Sequence, residues 1–362
     1  MSYSRTDGIA SLLVGLALVL APSGTTSAAS GDAAGLVVRL TDTVNPGDFG
    51  ALCNGRSDDS PAFARALSAG GVNARLMVPA GEVCLVGSTV TLTLPGQQIL
   101  CGKGATLRAA ASGIFVVHLK GRREAVEGCR IEGGGLAAVG VLVTGRQNRV
   151  ERNTITRARD HAIAVDGATG NCGGNLVHAN EVSDSGQVGI ANWKCDRGRI
   201  IGNYVHENGA EGITYDDSSN GTIRGNRVIG NKGGTGGIGV DRTVSTTISD
   251  NLISGNAVAG VAVNNQVGDS KNGTITGNIL LDNGPIAQIH LHSCTSKGRP
   301  IAPCKGAFMT EGWIVLHNKS DGHAHFIVID AGSRDNKVAG NVMGTATNFV
   351  DRGRGNVFSD ND

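Results

Sequence analysis

The residues best suited to chemistry occupy one repeated four-residue pattern. Each copy begins with Ile or Val, and most copies end on an acid, an aromatic or another polar residue. Because strand side chains alternate between two faces, the first and third positions should face a core and the second and fourth should face outwards. The seven copies are residues 163–166, 190–193, 213–216, 238–241, 261–264, 289–292 and 327–330.

Two carboxylates hold equivalent fourth positions in neighbouring copies, Asp216 and Asp241. Carboxylates about 5 Å apart repel each other and need a shared proton, a cation or a basic neighbour. The pair is therefore a candidate catalytic site and a candidate Ca²⁺ site. The same spacing suits the two carboxyl groups of a retaining glycosidase.

The next position along the chain alternates in charge, with Lys194, Asp217 and Arg242 in successive copies. These groups could take part in catalysis and substrate binding. They could equally form a structural ion ladder that compensates the two carboxylates.

Aromatic and imidazole groups follow in the same outward columns. Trp193 is expected to be exposed and to stack on a sugar ring. His290 and His292 could act as general acid or base near neutral pH. Together with Cys294 they also have a metal-like spacing, although Cys294 has a candidate disulfide partner in Cys304.

Small residues dominate the first outward column and leave room for a bound chain. Longer connections around 167–174, 264–272 and 293–312 flank short turns, which predicts a groove with walls. Thr214, Asp217, Asn264 and Glu211 are the further candidates for substrate binding, with Glu211 on the rim beside Asp160 and His161.

The element that positions these groups is a repeat marked by asparagine. Val or Ile precedes each anchor by three residues, and seven of the eight anchors have an apolar residue two positions later. A recurring period with β-branched inward positions predicts short strands stacked in a right-handed parallel β-helix. Stacked buried asparagines can satisfy one another, so they are predicted to be structural. The anchors are Asn153, Asn180, Asn203, Asn226, Asn251, Asn278, Asn318 and Asn341.

Composition excludes several other classes. The chain has 362 residues with 56 glycines, 3% aromatics, 40% hydrophobic residues and a net charge of +1. So much glycine argues against a helical bundle. The apolar content argues against disorder. The near-neutral charge offers no electrostatic basis for binding nucleic acid.

The N-terminus predicts export. An apolar run at 9–20 is too short to span a bilayer and is followed by small residues, which predicts a signal peptide over 1–29. An uncleaved anchor is the alternative. The secreted protein would then have a lead-in over 30–44, one β-helix domain over 45–362 and no stable membrane span.

Eight cysteines favour disulfides in such a protein. Cys101 and Cys129, like Cys172 and Cys195, are separated by about one repeat, so each pair could join adjacent coils. Cys294 and Cys304 could close one loop, which leaves Cys53 and Cys84.

Residues 45–70 are expected to form an N-terminal cap. Ser60 and Pro61 predict a helix start with Ser60 as N-cap, and the short amphipathic helix would cover the open end of the solenoid. Asp48-Phe49-Gly50-Ala51, followed by Gly55, Asp58 and Asp59, resembles the opening of pectin-lyase-like β-helix proteins. Asp58 and Asp59 are accordingly expected to be cap residues.

That resemblance implies a protein that acts on polysaccharides or oligosaccharides. The leading hypothesis is a lyase or C5-epimerase of a uronate-containing glycan. Arg242 or Lys194 would neutralise the uronate carboxylate, and His290 or His292 would move the proton. The two aspartates of the pair would bind Ca²⁺ or assist the transfer.

Two alternatives stay open. A glycoside hydrolase would use Asp216, Asp217 and Asp241; Asp216-Asp217 resembles one motif of the polygalacturonases. A non-catalytic carbohydrate-binding or structural solenoid would depend on Trp193 and need neither aspartate.

Overall fold

The computed structural model describes residues 43–265, 268–293, 308–322, 324–345 and 348–362. Within them the chain forms an all-β parallel solenoid of about 12 turns, and its strands belong to three long sheets and one small sheet. The predicted fold class is confirmed. The predicted signal peptide over 1–29 lies outside the described residues.

Most turns of the solenoid contribute one short strand to each long sheet, and neighbouring strands pair in parallel. The first sheet has Thr43–Val44, Arg75–Val78, Gln98–Cys101, Ala125–Glu127, Arg149–Glu151, Leu176–His178, Arg199–Ile201, Thr222–Arg224, Thr247–Ser249, Thr274–Thr276, Ile314–Leu316, Lys337–Ala339 and Val357–Ser359. The second has Asn54–Asp58, Val83–Val86, Thr106–Ala109, Arg130–Glu132, Thr154–Thr156, Glu181–Ser183, Tyr204–His206, Arg227–Ile229, Leu252–Ser254, Ile279–Leu281 and Lys319–Asp321.

The third sheet carries the candidate site. Its strands are Val90–Leu92, Phe115–Leu119, Val139–Val143, His161–Asp166, Ile190–Trp193, Ile213–Asp216, Ile238–Asp241, Ala259–Asn264, Ala287–Leu291, His325–Ile329 and Phe349–Asp351. A small separate sheet pairs Ser270–Lys271 with Thr310–Glu311.

The core is a stack of β-branched side chains inside the coils. Ile223 of the first sheet, Val228 of the second and Ile213 of the third are all fully buried. Equivalent residues of the next coil pair in register with them, as Ile223 does with Ile248. This stacking buries an apolar column that one coil could not bury alone.

The asparagine ladder is confirmed. Asn203 donates from Nδ2 to Asn226 Oδ1 at 3.0 Å and to the Val177 carbonyl at 3.0 Å, and its backbone N–H also donates to Asn226 Oδ1 at 2.8 Å. A parallel ladder runs through Asn208 and Asn231 at the next corner. These asparagines satisfy the buried backbone at the bends of the coil.

The N-terminal end is capped as predicted, with one difference in detail. A 3-10 helix, Pro46–Phe49, precedes the α-helix Ser60–Gly70. The expected N-cap was wrong: the helix starts at Ser60 and Asp59 precedes it. Asp59 instead accepts backbone N–H groups from Leu52 and Leu85, which confirms a structural role.

Three disulfides join the predicted cysteines, Cys101 with Cys129, Cys172 with Cys195, and Cys53 with Cys84. Cys294 and Cys304 lie outside the described residues. Among the helices of the described residues, none is long and apolar enough to cross a membrane.

Candidate active site

The register of the third sheet brings the predicted column together. Asp166 pairs with Trp193, Trp193 with Asp216, Asp216 with Asp241, and Asp241 with Asn264. The alternation is also confirmed, because Ile213 and Tyr215 of the strand Ile213–Asp216 are fully buried in the core. Successive coils are about 4.8 Å apart in this direction, so the column presents neighbouring groups to one ligand.

The floor of the predicted groove is more closed than expected. Thr214 and Asn264 are only 6% and 4% exposed. Thr235 is one covering group, since its hydroxyl accepts from Asn264 Nδ2 at 2.7 Å, and a Cβ on Gly239 would lie 2.9 Å from the same oxygen. The small residues of this column therefore accommodate the segment that contains Thr235. This leaves less open space for a bound chain than we predicted.

Two oxygens of this floor have no hydrogen-bond partner among the described residues, Thr214 Oγ1 and Asn264 Oδ1. Buried polar atoms without partners are costly. The role of Thr214 and Asn264 in substrate binding stays a prediction. Their burial restricts which ligand atoms can reach these two oxygens.

Asp216 is the most perturbed group of the column. Burial raises the pKa of its carboxyl well above the ordinary value, and the charges of Asp241 and Glu211 raise it further. A hydrogen bond from Trp193 opposes this shift, and Asp217 adds to it. Asp216 therefore keeps its proton to higher pH than an ordinary aspartate, next to a second carboxyl. Two carboxyls with different environments are the usual basis of an acid and base pair.

Glu211 is held in place by a neighbouring segment. Its Oε1 accepts the Thr235 backbone N–H at 2.8 Å and the Thr235 hydroxyl at 3.3 Å. The carboxylate thus acts on Asp216 through its charge while its own oxygen is occupied. Its predicted contact with substrate stays a prediction.

The charged corner beside the column is partly neutralised. Arg242 donates from Nη2 to Asp217 Oδ2 and forms an ion pair with it. Lys194, Asp217 and Arg242 have φ values of 51°, 52° and 50°, so the same bend recurs on successive coils. Lys194 is exposed. The structural ion ladder is supported for the arginine and aspartate, while Lys194 remains accessible to a ligand.

Trp193 is half-buried, less exposed than predicted. Its ring lies 4.9 Å from the His161 ring in an edge-to-face arrangement, and it packs against the buried cluster of Ala138, Val139 and Ala164. Burial lowers the pKa of His161, although Asp160 opposes the shift. We expected His161 on the rim, just before its strand, but it is the first residue of the strand His161–Asp166, and it reaches the site through its contact with Trp193.

His290 and His292 lie further along the same face, and both are buried. His290 Nε2 lies 3.1 Å and His292 Nδ1 2.7 Å from Asp330 Oδ2. Burial alone would raise the pKa of Asp330, but the hydrogen bonds from both imidazoles hold it well below its usual range. Both histidines belong to the predicted outward columns, but they are buried there. Their role in proton transfer remains an untested prediction.

Asp330 ends the seventh copy of the pattern, but we did not name it as a candidate site residue. Its place at the fourth position of the aligned pattern is the signal that could have identified it. One coil, that of Asn264, lies between Asp241 and the coil of the two histidines, so the histidines lie two coils, about 10 Å, from Asp241.

A separate cavity lies on the first sheet. A cavity of about 680 Å³ is lined by residues that include Arg75, Leu100, Glu127 and Arg149. Two of its charged groups are paired, Arg149 with Glu151 at 2.8 Å and Glu127 with Arg152. The perturbed carboxyl therefore favours the third sheet as the candidate active site.

Comparison with solved structures shows the fold. The mannuronan C-5 epimerase AlgE6 A-module of Azotobacter vinelandii is 16% identical with a TM-score of 0.65, over 88% of this chain and 99% of that one. PfbA, a surface adhesin of Streptococcus pneumoniae, is 14% identical with a TM-score of 0.59, over 88% and 90%. A hyperthermoactive exopolygalacturonase of Thermotoga maritima is 14% identical with a TM-score of 0.55, over 88% and 92%.

At such identities these similarities concern architecture alone. A search of curated proteins found no match. The family model described as "Right handed beta helix region" matches residues 139–362, which include the whole candidate column. The chain therefore belongs to the right-handed β-helix family.

Proposed function

We propose that this protein is a secreted enzyme that cleaves a polysaccharide at the third-sheet column. The observation that carries the proposal is the pair of Asp216, with a raised pKa, and Asp241 on the neighbouring coil. Three disulfides support an oxidising, extracytoplasmic compartment.

Hydrolysis is the reaction that this pair supports best. Asp216 would protonate the glycosidic oxygen, because its raised pKa keeps the proton in place. Asp241 would attack the anomeric carbon or activate water. Carboxyls on adjacent coils, about 5 Å apart, suit the retaining route, in which the second carboxylate is the nucleophile. Asp217 is less suited to the role we expected, since Arg242 already neutralises it.

The aromatic group beside the pair supplies binding. Trp193 pairs in register with Asp216, and the half-buried indole can hold a sugar ring by stacking on its accessible part. His161 supports the indole from one side. A sugar stacked on the indole would lie next to the acid.

A lyase or C5-epimerase is the second candidate, and the exposed Lys194 favours it. A lysine one position after Trp193 could neutralise a uronate carboxylate or take a proton from C5. The crowding of Asp216, Asp241 and Glu211 could be relieved by Ca²⁺ in place of a proton. The buried histidines are poorly placed for the transfer that we predicted.

The test is a panel of acidic and neutral polysaccharides incubated with the purified mature protein, with Ca²⁺ and with a chelator. New reducing ends without ultraviolet absorbance of an unsaturated uronate would support hydrolysis. Both signals together would mean elimination and would replace the hydrolase by the lyase. NMR of a recovered, uncleaved polymer would detect epimerisation.

Matched variants connect the activity to the site. Asp216→Asn and Asp241→Asn should each lower the rate of cleavage by orders of magnitude. Asp250→Asn should not, because Asp250 lies in an exposed ion pair with Arg224 at 3.0 Å. Binding of a glycan that survives both site variants but is lost in Trp193→Ala would instead indicate a non-catalytic solenoid.

A further inference from the structure

Three metal-ligating side chains converge on one point at the C-terminal part of the third sheet. His290 and His292 come from the end of one strand, and Asp330 follows the strand His325–Ile329 of the next coil. Their three ligating atoms all lie within 4.8 Å of one another, and each residue is at most 6% exposed.

The distances agree with a tetrahedral ion. Zinc binds imidazole nitrogen and carboxylate oxygen at about 2.0–2.2 Å, which places neighbouring ligand atoms about 3.3 Å apart. The observed separations from Asp330 Oδ2 are 3.1 Å for His290 Nε2 and 2.7 Å for His292 Nδ1. To reach that spacing, the distances from Asp330 Oδ2 would increase by about 0.2 Å for His290 and about 0.6 Å for His292.

The surroundings of the carboxylate also fit a ligand role. Arg352 Nη1 lies 3.5 Å from the other oxygen, Asp330 Oδ1, and can orient the group. Ligating carboxylates are commonly fixed by such an outer partner. One oxygen is therefore directed at the two imidazoles while the second is held by the arginine.

We propose that His290, His292 and Asp330 bind Zn²⁺. With three protein ligands, the ion would keep at least one position for water or another ligand. Because the ligands come from two successive coils, the ion would join those coils as disulfides do elsewhere; the disulfides of the described residues all involve positions before 196. The proposal is independent of the proposed function, since it concerns a different cluster and is read by metal binding.

The experiment uses the full mature protein after dialysis against a chelator. Zinc content after re-addition should be one ion per chain, and Co²⁺ should give the visible absorption of a tetrahedral site. Saturating zinc should raise the thermal midpoint by about 5 °C, because an ion that binds only the folded state stabilises it.

Single variants test the ligands. His290→Ala, His292→Ala and Asp330→Asn should each weaken zinc binding by at least about tenfold. His178→Ala is the matched control, since His178 also faces a carboxylate, Glu151 at 3.4 Å, but lies on the first sheet. It should bind zinc as the parent protein does.

Two results would overturn the proposal. One is a parent protein that takes up no zinc and shows no shift of the thermal midpoint, which would leave a hydrogen-bonded His–Asp–His cluster. The other is zinc uptake that is equal in the parent protein and His292→Ala. The Co²⁺ spectrum of the folded parent protein decides the matter even where a variant fails to fold.

Discussion

Two polar columns run along this solenoid, and they differ in how they vary. At the corner between the first two sheets, the same amide repeats from Asn153 to Asn341, and each side chain bonds to the next coil. On the third sheet, the column changes from Trp193 to Asp216, Asp241 and Asn264. Both columns are in register, so the stacking geometry alone does not distinguish a structural column from a candidate site.

The difference shows which polar column is structural. An identical amide on each coil satisfies its neighbours and the bend of the backbone, so nothing is left for a ligand. A column of unlike groups cannot satisfy itself in this way. Asp216 shows the consequence, since burial and the charges of two other carboxyls raise its pKa.

The largest expected effect is on catalysis. Asp216→Asn should lower the rate of glycan cleavage by about 10²–10⁴-fold, because it removes the proton donor. Stability should not fall. The raised pKa of Asp216 in the folded state means that its contribution to stability decreases as pH rises, whereas asparagine does not ionise and shows no such decrease. Initial rates together with urea unfolding measure both. A variant that loses stability and activity in parallel would place Asp216 with the structural column.

The rate of the parent protein should also depend on pH in a defined direction. Activity should fall as pH rises through the ionisation of Asp216, and this fall should come at a higher pH than for an ordinary aspartate, because the pKa of Asp216 is raised. A profile of kcat/KM against pH measures this, and a maximum below pH 4 would contradict the assigned roles.

Glu124 belongs to another structural ladder, in which it bonds to Asn148 of the next coil, and its substitution should have a large effect on stability. Glu124 is fully buried, donates its backbone N–H to Asn148 Oδ1 at 2.8 Å, and accepts from Gly121 N–H at 2.9 Å. Burial raises its pKa to about 8, although the backbone hydrogen bonds from Gly121 and Lys120 oppose the shift. Its contribution to stability is therefore present below about pH 4.5 and is lost as pH rises through about 8.

Glu124→Gln should thus be more stable than the parent protein by a few kcal/mol above pH 8, since each pKa unit corresponds to about 1.4 kcal/mol. The two proteins should converge at pH 4. Urea unfolding at a series of pH values measures the difference. The exposed Glu207→Gln is the control and should show no such trend. A pH-independent difference for Glu124→Gln would mean that the carboxyl is not protonated in the fold.

A substitution in the asparagine ladder should reduce stability, whereas a substitution of Asp216 should reduce activity. Asn226→Ala should lower the free energy of unfolding by about 2–3 kcal/mol, because it leaves buried groups of Asn203 without their acceptor. The exposed Asn171→Ala should change it little. Denaturant midpoints compare the two variants. Equal midpoints would mean that the ladder adds little to stability.

The smallest effect is expected at the indole. Trp193→Ala should weaken glycan binding by about tenfold, the usual scale of one aromatic contact. Trp193→Phe should retain most of the binding. Isothermal titration with a resistant oligosaccharide measures both, and unchanged affinity in the alanine variant would assign the indole to packing against His161 alone.

Much of the fold was predictable because its signals are local. The period of the asparagines and the β-branched residues before them predicted the stacked coils, and the alignment of seven segments predicted the pairing of Asp216 with Asp241. The spacing of Cys101 and Cys129, close to one coil, predicted their disulfide. Alternation and period need no knowledge of distant contacts, so the residues alone carry them.

The burial, pairing and protonation of the site residues depend on contacts between residues far apart in sequence, which no local pattern predicts. Thr235 covers part of the groove floor, and Arg242 pairs with Asp217. His292 meets Asp330 across 38 positions of sequence. Sequence by itself determined which side chains share a column, because strand geometry sets that. Only the tertiary structure decided which of them are buried, paired or protonated, because burial and charge depend on the segments that pack over each coil.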